Sequence, residues 1–185
     1  MLVLASQSPR RKEILAAAGL PFVARAPGIP EQREDAESPE AYVRRLSQQK
    51  ANAVSMNAGE VVLGADTVVV LDEHVLEKPL DAADARRMLE MLSGRDHQVI
   101  TGVCLKSPAG QVHDQAVTRV RFAPLSSGEI SGYIASGEPM DKAGAYAIQG
   151  RASKFIERIE GCYFNVMGLP ISLVYRHLKA LGYVS

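Results

Sequence analysis

The chain has 185 residues, of which 46% are hydrophobic and 23% are charged, and its formal net charge at pH 7 is zero. This is the composition of an ordinary globular protein, long enough for one large domain or for two lobes that share a core. Zero net charge argues against a protein that binds nucleic acid regardless of its sequence, because such proteins carry a surplus of Lys and Arg, but it still allows a local basic pocket for one small anion.

Strands and helices are predicted to alternate along the chain. Strands are predicted from β-branched apolar runs. Helix starts are predicted from Ser or Asp caps, two of which are followed by Pro, and helix ends from Gly. The result is an α/β protein with a mixed sheet. The predicted elements are a strand over 2–5, a helix from Ser8 to Gly19, a strand near 22–26, a helix from Ser38 to about Asn57, a strand over 61–71, a helix from Asp81 to Gly94, a hairpin of strands 99–105 and 112–122, a helix through 130–134, a strand over 155–159 and a helix from Pro170 to Gly182.

The chain shows no sign of a membrane segment or a disulfide framework. No apolar run approaches the roughly 20 residues of a membrane span, and the apolar residues 1–5 are too few for the core of a signal peptide. We therefore expect a soluble cytoplasmic protein with no membrane partner and no nucleic-acid partner. Cys104 and Cys162 lack the spacing of a metal site and are expected to be small apolar core residues.

Asp66 is the most unusual residue of the chain. It lies within residues 61–71, the most apolar and most β-branched run, whereas aspartate is depleted in strands and a buried carboxylate costs several kcal/mol unless a partner offsets it. A metal, a Lys or an Arg is therefore expected beside it, and Asp66 is the first candidate for a catalytic centre. The alternative is an Asp at a strand end that caps a turn at Gly64.

The segment from Ser6 to Arg11 is a candidate phosphate site. It leads from the first strand into a helix N-terminus, where free backbone N–H groups and a partial positive charge favour anions. Ser6 and Ser8 add hydroxyl groups, and Arg10 and Arg11 add guanidinium groups, which donate to phosphate in pairs. The alternative is a capped surface helix whose arginines are solvated.

Lys50 is predicted to lie on the inner face of its helix. It falls at i, i+4 spacing on one stripe with Tyr42, Leu46 and Val54. If its ammonium group stays inside, it needs an anion, and Asp66 or a substrate phosphate would serve. The alternative is a lysine whose stem is packed while its ammonium group reaches water.

Two further polar residues follow the Asp66 strand. Lys78 precedes Pro79, which stiffens the segment and holds the lysine in place; the alternative is a solvated lysine after a turn. Gln149 lies near the end of the stretch 141–150, whose small residues allow close approach of the backbone; the alternative is an amide that bonds its own loop.

The chain lacks Gly-x-Ser-x-Gly, Walker and dinucleotide motifs, and its separated cations and acids fit metal-assisted attack on a phosphate.

Several blocks of the chain match, in order and spacing, those of a known family. They are Ala5–Arg11, Leu63–Val69, Lys78-Pro79, Ser93-Gly94, Asp141–Gly150 and Gly161–Pro170. On these blocks the chain resembles the Maf family of nucleoside triphosphate pyrophosphatases nearly end to end. The resemblance implies a single domain over 1–185 with two lobes around a cleft, a homodimer, and hydrolysis of a nucleoside triphosphate to the monophosphate and pyrophosphate with a divalent metal, Mg or Mn.

The resemblance also implies roles for individual residues. Asp66 corresponds to the family's proton acceptor, and Glu31 to an acid in the cleft that helps to hold the metal together with Asp66. The positions that face the phosphates are Arg10, Arg11, Lys50 and Lys78, and those that set the choice of base are Arg10, Thr67 and Gln149.

The blocks around Gln149 resemble the branch of the family that acts on dTTP and UTP. A carboxamide accepts from N3–H of uracil or thymine and donates to the neighbouring carbonyl, whereas a carboxylate suits the donor edge of guanine better. Two alternatives stay open. One is a 7-methyl-GTP pyrophosphatase, and the other is a regulator of cell division that binds nucleotides without turnover.

Overall fold

The computed structural model describes residues 1–184. Its strands are β1 (Leu2–Ala5), β2 (Phe22–Ala24), β3 (Val61–Leu71), β4 (His74–Leu76), β5 (Asp96–Ser107), β6 (Gly110–Phe122) and β7 (Ile156–Glu160). Its α-helices are α1 (Pro9–Ala17), α2 (Pro39–Ala53), α3 (Ala82–Leu92), α4 (Ser127–Ala135), α5 (Tyr163–Met167) and α6 (Ile171–Ala180). Three short 3-10 helices cover Glu138–Asp141, Ala143–Ala145 and Arg151–Phe155.

The strands form one seven-stranded mixed sheet. Its order is β2-β1-β3-β5-β6-β7, and β4 pairs with β3 beside this path. Strand β1 runs parallel to both β2 and β3, with Leu4 opposite Ala24 and Leu63, whereas β4 and β7 pair antiparallel with β3 and β6. The predicted class, α/β with a mixed sheet and flanking helices, is confirmed.

Three helices begin at a Ser or Asp whose side chain caps the first turn. The side chains of Ser38 and Asp81 accept from the backbone N–H groups of Ala41 and Asp84, and Ser126 forms a capping box with Glu129. Each bond satisfies an amide of the first turn that has no partner within its own helix.

Some local predictions were wrong. Ser8 precedes α1, but its side chain makes no capping bond. Helix α2 ends at Ala53 rather than near Asn57, because Val54 leaves helical geometry with φ −97° and ψ 129° and is buried. Strand β4 and helix α5 were not predicted. Cys104 is buried as expected, whereas Cys162 is only partly buried.

The chain divides into two compact units. Unit 1 comprises Met1–Thr67, Thr101–Ala116 and residues 168–184, and unit 2 comprises Val68–Ile100 and Val117–Met167. A cluster in unit 1 packs α2 against β1, β3 and β5 through the apolar residues Val3, Ala5, Ala51, Val54, Val62 and Cys104. Unit 2 has a larger core built on α3, whose buried residues are Ala85, Met88, Leu89 and Leu92. None of the helices described is long and apolar enough to cross a membrane.

Candidate active site

Helix α2 lies unusually close to strand β3 in unit 1, and a glycine allows this. A Cβ atom at Gly64 would be 2.1 Å from the carbonyl oxygen of Ser47 and 2.8 Å from the backbone nitrogen of Ala51. No side chain fits at such distances, so only glycine permits this packing. Lys50 sits on α2 between these two contacts, and Asp66 follows Gly64 two residues along β3.

Lys50 and Asp66 form a buried ion pair. Lys50 is 4% exposed and Asp66 is 6% exposed. The Lys50 Nζ donates to Asp66 Oδ1 at 2.6 Å, and the same ammonium group is 2.8 Å from Oε1 of Glu31. Lys50 therefore points inward, as the helical stripe predicts, and Asp66 lies within β3 rather than in a turn at Gly64. The structure brings together the predicted acid, its cation and the predicted second acid.

Burial makes Asp66 a stronger base than an ordinary aspartate. Removal from water raises the pKa of the Asp66 carboxyl, although the charges of Lys50 and Arg11 and the hydrogen bond from Lys50 act in the opposite direction. The nearby charge of Glu31 raises it further. A carboxylate whose pKa is raised accepts a proton more readily, which is the property that general base catalysis requires.

Arg11 braces the neighbourhood of Asp66 through contacts to the protein. Its Nε donates to the carbonyl oxygen of Gly168 at 2.8 Å, and its two Nη atoms donate to Thr67 Oγ1 at 3.1 Å and Ser6 Oγ at 3.3 Å. These bonds use three of the five N–H groups of a guanidinium. Arg11 is thus both a structural contact and a candidate phosphate ligand.

The remaining predicted residues of the first segment lie close by in unit 1. Ser8 is half-buried, and its backbone N–H donates to Ser6 Oγ at 3.2 Å, while Arg10 is half-buried one residue before Arg11. The Thr67 hydroxyl, predicted to set the choice of base, is 2.9 Å from the hydroxyl of Thr101. A network of hydroxyl groups and one arginine therefore surrounds the start of α1 and the middle of β3.

Arg45 holds the loop that carries Glu31, a role that the sequence does not predict. Its Nε and Nη2 donate to the two carboxylate oxygens of Glu37 at 2.8 and 2.7 Å, and Nη2 also donates to the carbonyl oxygen of Gln32 at 3.0 Å. These bonds fasten the chain next to Glu31 onto α2. A single Arg in a charge-rich stretch gives no local signal of such a role.

The acids of this site fit a divalent metal in part. Within residues 1–184, no group of three or more His, Cys, Asp or Glu side chains is arranged to hold a metal ion. However, Glu31 and Asp66 both contact the ammonium group of Lys50, so their carboxylates lie close together. Two carboxylates, completed by water and substrate phosphates, are a common environment for Mg²⁺, and Mn²⁺ accepts the same oxygen ligands.

The other predicted residues, Lys78 and Gln149, lie in unit 2. Residues 144–148 are buried and Gln149, which follows them, is exposed, so the loop presents its amide at the surface. Lys78 is exposed beside the buried Pro79. The N–H of Gly144 donates to the carbonyl oxygen of Glu77 at 3.1 Å, which joins the segment of Lys78 to the start of the loop that ends at Gln149.

Comparison with known proteins adds a family and several relatives. The model of the family described as Maf-like protein matches residues 1–181. The chain is 51% identical to the dTTP/UTP pyrophosphatase of Koribacter versatilis, over 98% of this chain and 94% of that protein. It is 53% identical to the dTTP/UTP pyrophosphatase of Vibrio cholerae, over 92% of both chains.

A solved structure supports the fold alone. The Ham1 protein of Staphylococcus aureus superposes with a TM-score of 0.51 at 13% sequence identity, over 97% of this chain and 98% of that chain. At this low sequence identity, the likeness shows a shared architecture and carries no argument about function.

Proposed function

Since the chain belongs to the Maf family, over residues 1–181, we propose that it is a nucleoside triphosphate pyrophosphatase that converts dTTP and UTP to the monophosphate and pyrophosphate. Relatives that are 51% and 53% identical over nearly the whole chain carry the name of this activity. The observation that carries the proposal is the buried Asp66, paired at 2.6 Å with Lys50. A carboxylate of raised pKa in a cluster of cations suits the activation of water beside a polyphosphate.

The chemistry is attack of water on the α-phosphorus. Asp66 accepts the proton of the attacking water, and the bond from the α-phosphorus to the bridging oxygen breaks, so pyrophosphate leaves. Four cationic side chains neutralise the negative charge of the triphosphate: Arg10, Arg11, Lys50 and Lys78. Attack at this position gives pyrophosphate as the direct product. Release of inorganic phosphate together with a nucleoside diphosphate would contradict the mechanism.

Glu31 and Asp66 are the residues that would hold a divalent metal, Mg or Mn. Such an ion, when bound, neutralises phosphate charge and lowers the pKa of water. Removal of metal with EDTA should abolish turnover, and addition of Mg²⁺ or Mn²⁺ should restore it. Turnover that survives complete chelation would show that the reaction does not need the metal.

Gln149 is assigned to base recognition. Its exposed amide ends a buried loop, and it offers the acceptor and donor that match N3–H and a carbonyl group of uracil or thymine. When a bound base covers the amide, a polar group left without a partner costs enough to discriminate between bases by about tenfold or more. Gln149→Glu should therefore lower the turnover of dTTP and UTP, while the stability of the fold changes little. Unchanged kinetics with dTTP would remove this role.

A panel of substrates tests the proposal. Pyrophosphate release is measured with dTTP, UTP, CTP, GTP and 7-methyl-GTP in the presence of Mg²⁺ or Mn²⁺, and we expect dTTP and UTP to be the best substrates. Preference for 7-methyl-GTP would favour the other branch of the family. Tight nucleotide binding without pyrophosphate release would favour the regulator of cell division. The homodimer and the cytoplasmic location stay predictions, and light scattering in solution tests the first.

A further inference from the structure

Two side chains of unit 2, outside the predicted site, hold the loop on both sides of Gln149. We call residues 147–151 the recognition loop, because Gln149 stands at its centre. Tyr133 comes from α4, and Glu138 begins the 3-10 helix that follows shortly after it. Neither was predicted as a functional residue: Tyr133 reads as part of an apolar helix stripe, and Glu138 as a loop acid.

The hydrogen bonds reach backbone groups at the two ends of the recognition loop. The Tyr133 hydroxyl accepts from the N–H of Ala147 at 3.2 Å and donates to Glu138 Oε1 at 2.9 Å. The carboxylate of Glu138 accepts from the N–H of Arg151 at 3.0 and 3.1 Å through its two oxygens. One connected pair of side chains thus fixes the backbone two residues before and two residues after Gln149.

The surroundings leave the pair little freedom. Tyr133 is 3% exposed, so water cannot readily replace its hydroxyl bonds. The Nζ of Lys142 donates to the carbonyl oxygen of Glu138 at 2.7 Å and holds the backbone of that residue. A Cβ atom at Gly150 would be 2.3 Å from Glu138 Oε1, so the absence of a side chain at this position lets the carboxylate lie against the loop.

This arrangement fixes the loop without using Gln149 itself. The amide of Gln149 is exposed while its neighbours on both sides are tethered by their backbones. A recognition group is selective only when its direction is fixed before the ligand arrives, since an amide on a mobile loop can turn to suit either edge of a base.

We propose that Tyr133 and Glu138 are positioning residues for base selection, which orient the Gln149 amide by holding Ala147 and Arg151. The inference rests on the proposed function, with Gln149 as the group that reads the base. The pair acts through the loop and touches no reacting atom. Its loss should therefore change which pyrimidine is accepted much more than the rate of the chemical step.

Tyr133→Phe tests the first half of the pair, since it removes the hydroxyl and keeps the ring. The ratio of kcat/KM for dTTP to that for dCTP is measured, because cytosine differs from thymine at N3 and C4, where the amide reads the base. We expect this ratio to fall by about tenfold, chiefly through KM for dTTP, with kcat nearly unchanged. The matched control is Tyr146→Phe, which removes the bond between a buried Tyr hydroxyl and His97 Nε2 in the same unit.

Two variants of Glu138, which keep different numbers of acceptor oxygens, test the other half of the pair. Glu138→Gln keeps one acceptor oxygen for the N–H of Arg151, whereas Glu138→Ala keeps none, so selectivity should fall in the order wild type, Glu138→Gln, Glu138→Ala. Hydrogen exchange at the amides of Ala147 and Arg151 gives a readout that needs no substrate, and it should accelerate in Tyr133→Phe and Glu138→Ala but not in Tyr146→Phe.

A double substitution separates positioning from general destabilisation. In a Gln149→Ala background, Tyr133→Phe should change the dTTP to dCTP ratio no further, because the group being positioned is gone. An unchanged ratio in Tyr133→Phe and Glu138→Ala, with an active wild type, would overturn the inference and leave the proposed function intact. A wild type that releases no pyrophosphate from dTTP or UTP would overturn the proposed function, and this inference with it.

Discussion

Asp66 and Glu60 are two carboxylates of unit 1 that each contact a cation at 2.6 Å, yet their pKa values move in opposite directions. Glu60 is held by both nitrogens of the Arg25 fork and by the N–H of Asn57, and its pKa falls to about 2. Asp66 shares one ammonium group with Glu31, and burial raises its pKa. The distance to the cation therefore does not decide whether the pKa of the carboxyl rises or falls.

The difference lies in how many donors replace the lost water. Glu60 receives donors at both oxygens while its cation, Arg25, stays 33% exposed and keeps part of its hydration. Asp66 and Lys50 have side chains that are 8% and 5% exposed, so burial outweighs a single strong contact. The first arrangement stabilises a charge, and the second leaves a carboxylate ready to take a proton. The following substitutions test this distinction.

The largest effect is expected at Asp66. Asp66→Asn keeps the shape of the side chain but removes the proton acceptor, so kcat for pyrophosphate release should fall by about 10²–10⁴-fold. Glu60→Gln is the matched control, because it neutralises a paired carboxylate of unit 1 that lies outside the candidate site, and its kcat should stay close to that of the wild type. Equal losses in the two variants would mean that Asp66 acts only through the fold.

Removal of Lys50 should give the largest change in stability. Lys50→Met leaves two carboxylates beside an apolar side chain, and breaking a buried pair on one side costs about 3–5 kcal/mol. Urea unfolding at pH 7 measures the loss. Arg25→Met should cost less, because that pair is partly solvated. A larger loss of stability in Arg25→Met than in Lys50→Met would contradict this expectation.

The close packing that brings the pair together can be tested at Gly64. In Gly64→Ala the new methyl group would meet the carbonyl oxygen of Ser47 at 2.1 Å, so helix α2 must shift and the free energy of unfolding should drop by about 1–3 kcal/mol. Activity should drop as well, because Lys50 moves with the helix. The control, Gly132→Ala, has open space around its Cβ and lies in the interior of α4, and there we expect a gain of about 0.5–1 kcal/mol.

The smallest effect concerns the pH dependence of stability. The pKa of Glu60 is about 2 in the folded chain, against 4.5 for an ordinary glutamate. Its contribution is therefore fully present above pH 4.5 and is lost as the pH falls toward 2. Glu60→Gln should be less stable than the wild type at pH 7, and the gap should narrow as the pH is lowered from 5 to 3. A gap of constant size would show that Glu60 does not titrate as its contacts imply.

The sequence predicted the features that depend on neighbours along the chain. The apolar run around Asp66 and the helical stripe of Lys50 indicate, by periodicity alone, which strand and which helix face lie inside. Their pairing could only be inferred from the cost of a buried charge. The contacts of Arg45, Tyr133 and Glu138 left no such pattern, because they depend on the tertiary fold and not on a repeat along the chain. Strand β4, only three residues long, gives too little periodicity to detect.

Hydrolysis of dTTP in water enriched in oxygen-18 tests the central claim most directly. If water activated by Asp66 attacks the α-phosphorus, mass spectrometry will find the label in thymidine monophosphate and none in pyrophosphate, and Asp66→Asn will form little of either product. Label in the pyrophosphate would place the attack on the β-phosphorus and contradict the account.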